Sequence, residues 1–350
     1  MIEIFDFRSD TVSLPTQEML EAIKCAKLGD DVFREDPTVN RLEQLAAEKM
    51  GKEAALLVSS GTQANLIALM NNSVPGKLVI LEAESHIYWY EVGGISRIAG
   101  LFPWLIKSEF GTMDSKDIEN AIRPKNIHFP EPAMICIENT HNRHGGTIIS
   151  PDQIKKINEV AHKNDLKLYM DGARIFNAAV ALEIDVKKFT KYVDNLMFSL
   201  SKGLCCPVGS ILVGSNEFIE KARKLRKILG GGMRQAGIVA APGLVALEGM
   251  IDRLKDDHRN AKILAEGISK INGLSIDLKR VQTNIVFFDV NQMGISAELF
   301  VSKMKERGIL ALPMTKNTVR MVTYRGIKEE QVEKTIKRIE KIANQLKLKN

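Results

Sequence analysis

Short apolar runs recur along most of the chain, separated by amphipathic stretches of about 10–15 residues. The runs at 54–58 (AALLV), 77–83 (KLVILEA), 101–106 (LFPWLI), 133–139 (AMICIEN), 166–170 (LKLYM), 195–200 (NLMFSL) and 209–214 (GSILVG) predict strands. Between them, sets such as Val39, Leu42, Leu45, Ala46 and Met50 keep a helical period and predict helices. Strand followed by helix, repeated, is the signature of parallel α/β architecture. Boundary signals agree: Thr16 as an N-cap, Pro37 in a first turn, Gly51 as a C-cap, and Ser150-Pro151 ahead of another helix. A long helical region runs from Ile238 to Ile271, with an interruption expected near Pro242. Beyond about residue 245 the pattern changes. The segments 284–290 (NIVFFDV), 296–308, 319–324 (VRMVTY) and 329–346 predict a small α+β domain. The chain is therefore expected to comprise an extended N-terminal arm (1–15), a large domain (16–245) and a small C-terminal domain (246–350).

The 350 residues, 45% hydrophobic and 26% charged, suffice for a large core and argue against disorder. Lysine and arginine outnumber aspartate and glutamate by 49 to 43, a net charge of +6 that could attract nucleic acid or acidic substrates. The basic residues are mixed with acids, however, and the densest run, Lys334 to Lys349, has helical spacing, so a solvated face is the better reading. No run reaches the ~18 consecutive apolar residues of a membrane span, and the start has no signal-peptide pattern. Neither nucleic acid nor membrane is an expected partner. The four scattered cysteines, Cys25, Cys136, Cys205 and Cys206, fit reduced thiols in a cytoplasmic protein, and no metal is expected.

Candidate chemistry lies at two polar residues set behind apolar runs: Asp171 after LKLYM, and Lys202 just past NLMFSL. The carboxyl ends of strands are where α/β sheets bind ligands, so both side chains would meet one crevice. Small neighbours, Ser199, Ser201 and Gly203, let Lys202 approach a flat cofactor, and desolvation would lower its pKa. The pair suits pyridoxal phosphate, whose aldehyde takes a lysine amine and whose ring nitrogen needs an anion. The plainer alternatives are a snorkelling surface lysine and a helix-capping aspartate. Arg174, three residues past Asp171, offers a cation for a cofactor oxygen or a substrate carboxylate. The turn SSGTQAN (59–65) could cradle a phosphate on backbone N–H groups, or serve turn chemistry alone. His86, His128, His141 and His144 could each be ordinary polar residues or act on a ring or a proton.

The segments RSDTVSLPT (8–16), GDDVFREDPTVN (29–40), SSGTQAN, HIYWYEVGG (86–94), IENTHN (137–142), DGARIFNAAV (171–180), SLSKGLCCPVGS (199–210) and GGGMRQAG (230–237) follow one another in that order. Together they resemble the low-specificity L-threonine aldolase family, in the β-eliminating lyase branch of fold-type I pyridoxal phosphate enzymes. The likeness is close over residues 5–250 and looser through TNIVFFDV and VRMVTY beyond. It implies an aspartate aminotransferase-like large domain and cleavage of L-threonine or L-allo-threonine to glycine and an aldehyde. By the same resemblance, Lys202 would bond to the cofactor, Asp171 would pair with its ring nitrogen, His86 would stack on the ring, and Gly61 and Thr62 would bind phosphate. Lys227 and Arg234 would reach the cofactor site of a neighbouring subunit of a homo-oligomer, a dimer or tetramer with shared sites. Ser9, Arg174 and Arg320 would hold the substrate carboxylate, and His128 with His86 would help remove the β-hydroxyl proton.

Three departures from the family pattern stand out. Phe33-Arg34 replace the common Tyr-Gly, Arg143-His144-Gly145-Gly146 follow THN and add a titratable group, and Cys205-Cys206 replace smaller residues. β-Elimination, racemisation and transamination are alternative reactions on the same scaffold. A cofactor-free basic protein that binds nucleic acid is the alternative of a different class.

Overall fold

The computed structural model describes residues 3–347, which form two compact units. The larger comprises Pro15–His144 and Ile148–Ile251; the smaller takes the residues up to Leu14, Gly145–Thr147, and those from Asp252 on.

Seven strands make the sheet of the larger unit: β1 (Ala54–Val58), β2 (Leu78–Glu82), β3 (Phe102–Ile106), β4 (Pro132–Glu138), β5 (Lys167–Asp171), β6 (Asn195–Ser199) and β7 (Ser210–Gly214). Their order is β1-β7-β6-β5-β4-β2-β3. All neighbours run parallel except that β7 opposes both β6 and β1. Only residues 200–209 join β6 to β7, fewer than the dozen or so that a helical crossover requires, so β7 returns antiparallel. Every residue of β2 and β6 is buried, which is why those strands read as continuous apolar runs rather than alternating ones.

The helix signals act as expected. Thr16 Oγ1 accepts the Met19 N–H at 3.2 Å, Gly51 closes its helix in the left-handed region at φ 61°, and Ser150 forms a capping box with Gln153. Pro242 does not interrupt its helix, contrary to expectation. It lies within Gly237–Gly249, and the break falls at residues 250–253, ahead of Leu254–Ile268. A proline there removes only the N–H that would reach the carbonyl of Ile238, a residue 47% exposed in the first turn.

In the smaller unit Phe5–Asp6 pairs in parallel with Ile309–Leu310, so the segment expected as an arm contributes a strand. A second, antiparallel sheet orders Leu312–Pro313, Thr318–Val322 and Ile285–Asp289. Phe5, Phe7, Phe288 and Phe300 lie in the apolar core of this unit. Among the described residues no helix is long and apolar enough to cross a membrane.

β1 is an edge strand, and one buried and one half-buried ion pair close its open side. The Leu57 N–H donates to Glu43 Oε1 at 2.9 Å, and its carbonyl accepts from Arg226 Nη1 at 2.7 Å. Arg223 pairs with Glu43, and Arg226 Nη2 donates to Asp31 Oδ2 at 2.6 Å. With the edge capped in this way, the chain leaving β1 at Ser59 is held in place for the helix that follows. Arg226→Met would leave Asp31, 2% exposed, as an unpaired buried charge. It is expected to destabilise the protein by about 3–5 kcal/mol, read as a lowered calorimetric Tm, with part of the loss recovered in Arg226→Met/Asp31→Leu.

Candidate active site

Three parallel strands end in buried carboxylates: β2 in Glu82, β4 in Glu138 and β5 in Asp171. Glu138 and Asp171 are register partners, so they stand side by side at the carboxyl edge. Taking a carboxylate out of water costs several kcal/mol unless donors surround it. Asp171 Oδ1 accepts the Ala173 N–H at 3.0 Å, and Oδ2 accepts from Asn65 Nδ2 at 3.0 Å. Gly172 permits this turn, because a Cβ at that position would lie 2.7 Å from the Met197 carbonyl oxygen. The helix that follows, Ile175–Ala181, has Arg174 at its N-cap position, so Asp171 is not its capping residue.

Asn65 sits in the Gly61–Asn72 helix, and its amide orientation follows from its partners. Oδ1 accepts the Tyr169 hydroxyl at 2.6 Å, which leaves Nδ2 to donate to Asp171 and, at 2.7 Å, to Glu91 Oε1. Glu91 also holds His86, whose Nδ1 lies 3.0 Å from Oε1, while the His86 N–H donates to Glu138 Oε2 at 2.6 Å. His86, Glu91, Asn65 and Asp171 are thus one hydrogen-bonded chain. Burial alone would lower the His86 pKa, but the Glu91 hydrogen bond and the charges of Asp171 and Glu138 raise it above the usual imidazole value, against opposition from Lys202.

Lys202 lies in the turn after β6, three residues past Ser199, and its carbonyl accepts the Cys205 N–H at 2.8 Å. The Gly61–Asn72 helix begins at the end of β1, with Ser60 capping the Gln63 N–H at 3.2 Å. The N–H groups of Gly61 and Thr62 have no partner among the described residues. A helix start with two free N–H groups, a buried carboxylate fixed by two donors, and a lysine whose charge is felt at His86 fit a phosphorylated, ring-nitrogen cofactor.

Other expected site residues lie elsewhere. His128 is exposed in the loop between Ser115–Ala121 and β4, at the amino end of that strand, whereas Asp171 closes the carboxyl end of β5. One strand length separates those edges, so a single chain does not bring His128 to Asp171. Lys227 is exposed, and Arg234 pairs with Asp30 at 3.0 Å. Ser9 and Arg320 belong to the smaller unit. Ser9 Oγ accepts the Thr11 N–H at 3.2 Å, and Arg320, 6% exposed, lies on Thr318–Val322 with Nη1 3.4 Å from the Arg8 carbonyl. The departures are placed as well: Phe33 is 68% exposed, Arg34 Nη2 pairs with Glu220 at 2.5 Å, and Cys205 and Cys206 are buried.

The Beta-eliminating lyase family profile matches residues 6–292. The chain belongs to the β-eliminating lyase family. Among similar proteins of that kind, low-specificity L-threonine aldolase 1 of Arabidopsis thaliana is 46% identical over 336 residues, covering 95% of this chain and 94% of its own. Low specificity L-threonine aldolase of Escherichia coli is 40% identical over 332 residues, covering 94% and 96%. A threonine aldolase structure from Leishmania major superposes with a TM-score of 0.84 at 19% identity, covering 97% of this chain and 99% of that one. The lyase-family chain therefore has the fold-type I architecture.

Within this member of the β-eliminating lyase family, residues outside the sequence expectations hold the candidate site together: Asn65, Glu91, Glu138 and Tyr169. Glu91 had one local signal, an acid five residues after His86 in an otherwise aromatic and apolar stretch. A histidine raised by its folded partners contributes stability that is complete below its unfolded value of about 6.5 and is lost as pH climbs through the folded value. Labelled-imidazole NMR should accordingly show His86 titrating above about 6.5 in the wild type, and lower in Glu91→Gln. Coincident titrations in the two proteins would contradict the Glu91 assignment.

Proposed function

We propose that this lyase-family chain is a pyridoxal phosphate-dependent aldolase that cleaves β-hydroxy-α-amino acids, L-threonine and L-allo-threonine among them, to glycine and an aldehyde by breaking the Cα–Cβ bond. The observation that carries the reading is the buried Asp171 carboxylate, fixed by Asn65 and the Ala173 N–H beside His86. Full-length similarity to low-specificity threonine aldolases supports the same reaction.

Pyridoxal phosphate, when bound, supplies an electron sink for the pair left at Cα. Asp171 offers the fixed negative charge that a protonated ring nitrogen needs. The N–H groups of Gly61 and Thr62 suit its phosphate, and the Lys202 amine suits its aldehyde. With Nδ1 of His86 engaged by Glu91, its Nε2 is the nitrogen left to take the β-hydroxyl proton. Buried Arg174 suits the substrate carboxylate, which selects the bond to be broken by fixing the substrate's orientation. For Ser9 and Arg320, family likeness alone supports a share in that task. His128, Lys227 and Arg234 would join the site from a second copy, so the reading includes a homo-oligomer, a dimer or tetramer. A cytoplasmic setting is supported by four cysteines free of disulfides.

Incubation of the purified holoenzyme with L-threonine, L-allo-threonine and L-serine should yield acetaldehyde and glycine in equal amounts from the first two, without pyruvate or 2-oxobutyrate. Lys202→Ala should lose the cofactor's visible absorbance, and Asp171→Asn should lower kcat by about 100-fold or more. Keto acid as the sole product would replace the aldolase reading with β-elimination.

A further inference from the structure

Next to the candidate active site, but outside the tasks just assigned, three chemically unusual side chains converge. Glu82 ends β2, and His141 and His144 lie in the segment after β4. Glu82 Oε2 is 3.0 Å from His141 Nε2, and Oε1 is 3.2 Å from His144 Nε2. The two imidazoles meet edge to face with centroids 4.6 Å apart, and one donor atom from each of the three residues lies within 4.8 Å of the others. The side chains are 2%, 0% and 10% exposed for Glu82, His141 and His144.

Hydrogen bonding explains only part of this cluster. The second lone pairs of the Glu82 carboxylate are engaged by the Glu84 N–H on Oε2 at 2.6 Å and by the Ser108 hydroxyl on Oε1 at 3.0 Å, which fix its plane. His141 is different. Its Nε2 pairs with Glu82 Oε2 at 3.0 Å, while its Nδ1 has no hydrogen-bond partner among the described residues. A fully buried ring nitrogen without a partner is costly, and each such group calls for an explanation. The surroundings are also acidic. Glu138 and Asp171 act on His141 electrostatically as well.

We propose that Glu82, His141 and His144 bind one divalent transition-metal ion of the zinc type. Two imidazoles and a carboxylate are a donor set for such ions. Metal–donor bonds of about 2.0–2.2 Å in a tetrahedron set neighbouring donors roughly 3.3–3.6 Å apart; the two Glu82–histidine separations, 3.0 and 3.2 Å, lie just below that range, and all three donors fall within 4.8 Å of one another. The Glu84 N–H and Ser108 hydroxyl are the outer partners that hold a ligating carboxylate in position. Such an ion would tie the His141–His144 segment to the end of β2. It would also brace the active-site edge, because Glu138 accepts both the Asn142 N–H at 2.8 Å and the His86 N–H at 2.6 Å. The ion answers the buried acidity and engages His141 through Nε2. The sequence offered no such expectation, since the three ligands are spread over 63 positions, from Glu82 to His144.

The test uses the chelator-treated holoenzyme in a Cys25→Ser background, which removes the one exposed thiol among the four cysteines. Titration with Co2+ in the absence of amino acids is expected to give a visible d–d spectrum that saturates at one ion per chain, and Zn2+ should displace it. His144→Gln and Glu82→Gln should each weaken binding by about 100-fold or more, since losing a ligand costs at least as much as losing an outer partner. Should either variant fail to fold, X-ray absorption of the zinc-loaded wild type decides, with two imidazole nitrogens and oxygen in the coordination shell expected. Binding below one equivalent, equal affinity in a folded His144→Gln, or a shell without imidazole would each overturn the site. None of these outcomes bears on aldehyde production, so the metal site and the proposed reaction stand or fall separately.

Discussion

Charge kept inside the protein without water is the constraint on which this site depends. Asp171, Glu138 and Glu82 close three parallel strands, and each is buried. A carboxylate in that position is tolerable only when donors are aimed at it in advance, because the cost of moving them later falls on stability. The donors come from every layer of the larger unit: the Asn65 amide from the Gly61–Asn72 helix, backbone N–H groups of Ala173, His86 and Asn142, and the imidazole of His144 in the segment after β4. The sheet supplies direction, and the helices and turns supply partners.

That division explains what was legible in the residue pattern. Buried parallel strands must be apolar along most of their length, so β2, β4, β5 and β6 announce themselves, and the first charged residue at or after the end of such a run marks the carboxyl edge. Asp171 and Lys202 could be found in this way. Asn65 could not, because its role is defined by partners 106 and 26 residues away, and nothing local in GTQAN records those pairings; Glu91 left only its spacing of five residues from His86. The direction of β7 was hidden for a related reason: apolar runs look alike whichever way they point, and only the short connection from β6 reverses it. Pro242 misled because the rule that proline breaks helices concerns a lost N–H, which matters little near an exposed first turn.

The same constraint separates the parts of the family likeness that one chain can support. The strand-end residues of the candidate site lie along a single edge of the sheet, while His128 sits at the opposite edge and Lys227 and Arg234 are exposed. A second copy is the natural source of groups that one chain holds apart, and oligomerisation would then be part of the active site's construction rather than an addition to it.

If fixed negative charge at Asp171 is the organising feature, its consequence should be visible on the cofactor itself. The most direct measurement is the nitrogen-15 NMR shift of ring-labelled pyridoxal phosphate bound to the wild type and to Asp171→Asn. The account predicts a protonated ring nitrogen in the wild type and an unprotonated one in the variant. An unprotonated nitrogen in the wild type, or the same shift in both proteins, would contradict it.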